Sequence, residues 1–145
     1  MSIKKVITLT SDIYKNNNNQ VTGIVDRPYI PLLLKYKHKI SNTPVNCLLD
    51  SGSDCNLFPA SWAAVVGINV RNGVKKRIRG IGGSEVIAYT HKVELIYDKE
   101  LRLYTDVDFS SQQNIPLLGR EGFFDKFDEI SFDLKNNSFT LIFKK

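Results

Sequence analysis

The residues that most often hold metals or form bridges are scarce in this sequence. Its 145 residues include two histidines, two cysteines, one methionine and one tryptophan. His38 and His91 are isolated, and no His/Cys cluster has zinc-ligand spacing, so no metal site is expected. Cys47 and Cys55 do not make C-x-x-C, and no histidine is identifiable as the partner that a Cys-His nucleophile needs. Without a secretory signal, both read as free thiols. No apolar run approaches the roughly 20 residues that span a bilayer. Met1 to Thr10 carries Lys4 and Lys5 but no sustained apolar core. A signal peptide is therefore not expected, and a cytoplasmic location with no membrane contact is. Met1-Ser2 looks like a gene start. A phosphate-cradling glycine loop is also missing. Gly80 and Gly82 are followed by Glu85 where a dinucleotide fingerprint needs its third glycine, and β-branched Val86 and Ile87 come next. No organic cofactor is expected.

What is present describes an ordinary globular chain. Hydrophobic residues make up 42% and charged residues 24%, and the length suits one domain with a real core. The net charge of 20 − 15 = +5 is unevenly placed. Seven Lys/Arg and two Asp/Glu lie in residues 1–45, against thirteen of each afterwards. Lys35, Lys37 and Lys39 alternate with Tyr36, His38 and Ile40, as the solvated face of a half-buried strand does. Nucleic acid is not the expected partner.

The pattern along the chain is mostly period two. Ile3 to Leu9 reads as a strand, 15–20 as a polar loop, and Val21 to Val25 as a strand pairing with the first. Residues 1–26 are expected to form an N-terminal extension or hairpin, and 27–145 the main domain. Leu32 to Lys39 is a strand, Ser41 to Pro44 a turn, and Ala60 to Val66 a short helix stopped by Gly67, with Trp62 in the core. Arg71 to Arg79 holds five basic residues and no acidic one. Glu85 to Tyr97, Leu101 to Phe109 and Ile115 to Leu118 read as strands, and Arg120 to Phe127 as a helix. Ile130 to Leu134 and Ser138 to Phe143 form a hairpin. The expected fold is an all-β barrel-like domain with one or two short helices.

Three stretches carry chemistry. In Cys47-Leu48-Leu49-Asp50-Ser51-Gly52-Ser53-Asp54 an apolar strand ends on a carboxylate and a tight Ser-Gly turn, which holds Asp50 at a strand tip. Arg79-Gly80-Ile81-Gly82-Gly83 reads as a hairpin tip rich in glycine. Pro116-Leu117-Leu118-Gly119-Arg120 ends a short buried strand on Gly-Arg. In that order and spacing they resemble the active-site loop, flap and second signature of the retroviral-type, retropepsin-like aspartic proteases, over roughly Pro28 to Phe127. Ser51 in place of threonine is an accepted variant there; Ser53 stands where alanine is usual.

The resemblance implies a retropepsin-like barrel with a glycine-rich flap, acting as a homodimer on a peptide or protein substrate. Asp50, Ser51 and Gly52 would form the catalytic loop. Asp54, Gly80, Ile81, Gly82 and Gly83 would bind substrate, and Leu118, Gly119 and Arg120 would support the site. The chain has one Asp-Ser/Thr-Gly, so the second carboxylate would come from a second copy. Arg120 is expected to form a partly buried ion pair with Asp54, and Phe139, Leu141 and Phe143 to serve a dimer interface, with residues 1–26 competing for that role. A retropepsin-like module that binds peptides or dimerises without turnover is the alternative.

Overall fold

Alternation of buried and exposed residues governs most elements of the chain, as expected where one strand face meets a core. The computed structural model describes residues 1–80 and 82–145. In chain order the strands are β1 (Ser2–Thr8), β2 (Thr10–Lys15), β3 (Val21–Arg27), β4 (Tyr29–Tyr36), β5 (Lys39–Ile40), β6 (Val45–Leu49) and β7 (Leu57–Pro59). There follow the helix α1 (Ala60–Val65), a 3-10 turn (Val70–Asn72), and strands β8 (Val74–Arg79), β9 (Glu85–Ile96), β10 (Arg102–Ser110) and β11 (Leu117–Leu118). A second 3-10 turn (Phe124–Lys126), β12 (Glu129–Asp133) and β13 (Ser138–Lys144) complete the chain.

By contacts the chain forms two compact units. The larger, Ile30–Lys126, holds an eight-stranded sheet in the order β5-β4-β6-β11-β7-β10-β9-β8. β4 also pairs with β9, Leu34 opposite Leu95, which curls the sheet toward closure. Ile30, Leu32, Leu34, Phe58, Leu95, Val107, Phe109 and Leu118 are buried at its core. α1 buries Trp62, whose ring stacks on Phe58 with centroids 4.8 Å apart.

The smaller unit comprises Met1–Tyr29 and Phe127–Lys145. Its three-stranded sheet runs β1-β13-β12, so β13 is central and both of its edges are filled. β1 pairs antiparallel with β13, from Ser2 opposite Lys144 to Thr8 opposite Ser138. β2 and β3 make a separate hairpin, with Ile13 opposite Ile24.

Several expectations need correction. Val21 to Val25 pairs with β2, not with the first strand; β2 is a polar stretch for which no strand is expected from the sequence. β1 instead buries Ile3 and Ile7 beside a strand rich in aromatics, its match in alternation. β4 stops at Tyr36, because Lys37 turns the chain at φ 54°. Arg120 to Phe127 is not an α-helix, since Gly122 sits at φ 98° and leaves room only for a 3-10 turn. Phe139, Leu141 and Phe143 are already buried within the chain on its central strand, so they are not open to a partner.

Candidate active site

β6 fixes the start of the site. Cys47 and Leu49 face the core, and β6 runs parallel to β11 with Leu48 opposite Leu117 and Leu49 opposite Leu118. The Leu48 amide donates to the Pro116 carbonyl at 2.8 Å, and the Asp50 amide donates to the Leu118 carbonyl at 2.9 Å. Asp50 is thereby held at the strand tip by main-chain bonds. The turn then folds back on its carboxylate. The Gly52 amide donates to Asp50 Oδ1 at 3.0 Å, and the Ser53 amide to the Asp50 carbonyl at 3.0 Å. Asp50 is half-buried, whereas Ser51 and Gly52 are exposed at the tip.

Behind the turn lies a residue that motif reading missed. Asn56 is fully buried. Its Oδ1 accepts from the Gly119 amide at 3.0 Å, its Nδ2 donates to the Asp106 carbonyl at 3.1 Å, and its own carbonyl accepts from the Asp108 amide at 2.9 Å. One side chain thus ties the Asp50 loop to the end of β11 and to β10. The signal was a polar residue opening an otherwise apolar run, Asn56-Leu57-Phe58, because a buried amide needs partners on every side. Gly119 is a glycine for a steric reason: an added Cβ would lie 2.3 Å from the Cys55 carbonyl oxygen.

Arg120 and Asp54 do meet. Arg120 donates from its guanidinium to Asp54 Oδ1, and main-chain bonds from Arg120 to Ser53 (2.9 Å) and from Glu121 to Asp54 (2.8 Å) run alongside. The side chains are 61% and 79% exposed, however, so this is a surface pair and not the partly buried one expected. The second signature reaches the loop chiefly through its backbone.

The opposite wall is the β8–β9 hairpin. The Gly80 amide donates to the Ser84 carbonyl at 2.9 Å and the Gly83 amide to the Gly80 carbonyl at 3.2 Å. Gly82 and Gly83 have φ of 97° and 87°, which L side chains rarely adopt. Ile81 lies outside the described residues. Asp50, Gly52, Asp54 and Gly80 line one cleft of about 680 Å³ with Cys55 and Lys76. Leu118 and Gly119 are buried behind it.

Lys76 is the cleft's anchored cation. Its Nζ lies 3.0 Å from Asp108 Oδ2 and 3.1 Å from Cys55 Sγ. Thr90 Oγ1 donates to the other Asp108 oxygen at 2.5 Å. Burial works against the charged lysine, but its hydrogen bonds to Cys55 and Asp108 outweigh that and raise its pKa above the ordinary value. Burial pushes the Cys47 thiol well above its usual range, so it stays a neutral core residue. Among the described residues no group of His, Cys, Asp and Glu could hold a metal ion, and no helix is long and apolar enough to cross a membrane.

The fold is that of the retropepsin-like aspartic proteases. The chain is similar in structure to a retropepsin-like aspartic protease from Rickettsia conorii. The match covers 99% of this chain and 93% of that one, with a TM-score of 0.60 and 14% identity. It is also similar to EIAV protease complexed with an inhibitor, at 25% identity over 65% of this chain and 82% of that one, with a TM-score of 0.49. No family model and no curated protein matches the sequence.

Proposed function

We propose that the chain is an aspartic endopeptidase that acts as a homodimer, each copy contributing Asp50. The observation that carries this reading is the placement of Asp50: one carboxylate, fixed at a strand tip and facing a peptide-sized cleft, on a loop whose tip is exposed. A twofold axis passing the exposed Ser51–Gly52 tip would bring Asp50 beside its own copy. Two carboxylates that close cannot both ionise, so they share one proton. The ionised one takes a proton from a water that attacks the scissile carbonyl. The protonated one donates to the forming oxyanion, and the leaving amine is then protonated as the tetrahedral species collapses. By the same reading Ser51 braces the paired loops, Asp54 and the flap glycines hold the peptide backbone, and Leu118, Gly119 and Arg120 support the loop.

Purified protein should cleave an unstructured protein substrate, and a transition-state-mimicking aspartic-protease inhibitor should block it. Asp50→Asn keeps the shape and removes the shared-proton chemistry, so the rate should fall by about 10³-fold or more with the melting curve unchanged. Specific activity should also fall on dilution. A variant that keeps most of the rate, or a fully active monomer by sedimentation, defeats the proposal.

A further inference from the structure

We propose that Lys76 is a specificity-determining residue of the cleft, and that the peptide taken there is acidic, with a carboxylate side chain lying against β8. This rests on the cleft's being a peptide site, as proposed above. It adds which peptides enter.

The first support is geometric. An ammonium has three N–H donors. Asp108 and Cys55 take two of the Lys76 donors, at 3.0 and 3.1 Å. The third remains for a ligand, on a side chain that is 42% exposed. The lysine is fixed from below, because Asp108 is only 2% exposed and is itself held by Thr90. Burying an ion pair seldom gains stability over an apolar pair of the same size. Here the costly carboxylate has a clear effect: it turns a flexible lysine into a fixed cation at the cleft wall. Cys55, a weak acceptor, takes up a donor without neutralising the charge.

The second support is the surrounding charge. β8 carries Lys75, Lys76, Arg77 and Arg79 in six residues, with no acid. Along the facing stretch of β9, Glu85 to Thr90, the one acid is Glu85. Arg77 and Arg79 share it at 3.6 and 3.7 Å, which is loose pairing. Among the charged residues lining the cleft, Lys76, Arg77 and Arg79 face Asp50 and Asp54, and Asp54 is already paired with Arg120. Set against their partners Glu85 and Asp108, the four cations of β8 leave this wall net positive (4 − 2 = +2), and it would raise the local concentration of an acidic chain.

The test uses the full chain and a set of labelled peptides that differ only by Glu, Gln or Lys at one scanned position. Wild-type protein gives kcat/KM for each, and Asp50→Asn gives Kd. At one position Glu should be preferred over Gln by about tenfold, and the margin should shrink in high salt. Lys76→Met should bring the Glu-to-Gln ratio near one, while Lys76→Arg keeps it. As a readout on the native fold, carbodiimide coupling of the bound Glu peptide to Asp50→Asn should mark Lys76. Equal values for Glu and Gln at every position, an unchanged ratio in Lys76→Met, or coupling confined to other lysines overturns the inference and leaves the protease reading standing. If no peptide is cleaved but Glu peptides bind preferentially and couple to Lys76, the protease reading falls and the specificity assignment holds.

Discussion

The two walls of the cleft are held by different kinds of bond. On one side, the Asp50 loop is locked by main-chain bonds from β6 to β11 and by the three bonds of buried Asn56. On the other, the β8–β9 tip relies on its own hairpin, on loose exposed ion pairs to Glu85, and on the Lys76–Asp108 clamp. Main-chain bonds inside a core hardly respond to salt, whereas exposed charge pairs do. The proposed peptidase would draw on both kinds, one to hold Asp50 still and one to admit a peptide.

Changes to the fixed wall should have the largest effects on stability. Gly119→Ala drives a Cβ into the Cys55 carbonyl, and the backbone there has no slack. A loss of about 3 kcal/mol is expected in urea melts. Asn56→Leu orphans the Gly119 amide and the Asp106 carbonyl, for a loss of about 2–4 kcal/mol. Losses below about 1 kcal/mol for both would mean that this wall is not rigid. The hairpin wall should respond differently. Gly82→Ala meets no atom within 4 Å, yet it forces an L residue to φ 97°. It should cost about 1–2 kcal/mol locally. Hydrogen exchange at the tip and KM should register it more than the global melt does, and a full-sized shift in the global melt would contradict the contrast.

Smaller effects sharpen the same contrast. Arg120→Ala removes an exposed pair, so the protomer should lose no more than about 1 kcal/mol in melts. A much larger loss, dependent on protein concentration, would place that pair in a dimer interface. The smallest effect concerns pH. Because Lys76 is raised in the folded chain, its contribution is complete below the ordinary lysine range and fades as pH climbs through the folded value. Protection factors at β8, corrected for the base-catalysed intrinsic rate, should fall under alkaline conditions before those of the Asp50 loop. Simultaneous loosening of both would argue against the clamp.

The strand tip at Asp50, the β8–β9 hairpin, the short helix with Trp62 inside and the C-terminal hairpin were legible through period-two alternation or turn residues. The fold implied by the three motifs is the fold observed. What stayed hidden depends on neighbours distant in the chain. Thr10–Lys15 is too polar to advertise a strand, and it is one only because β3 lies beside it. Asn56 reads as an ordinary polar residue until Gly119, 63 positions away, is seen to donate to it. Exposure was the least legible property. Asp54 and Arg120 were paired correctly, but nothing in their spacing says how much water reaches them.

The smaller unit has a consequence for the order of events in folding. β13, the last strand, lies between β1, the first, and β12. As the chain emerges, β1 has no partner until nearly every other residue has been made. Ile3 and Ile7, buried in the finished fold, stay in water throughout that wait. Closing a loop between Ser2 and Lys144 spans almost the whole sequence, so this sheet should be the slow step, with the Ile30–Lys126 unit able to form earlier. A free chain ending before Ser138 would leave β1 and β12 both without their partner, the state in which chaperone capture or aggregation competes with folding.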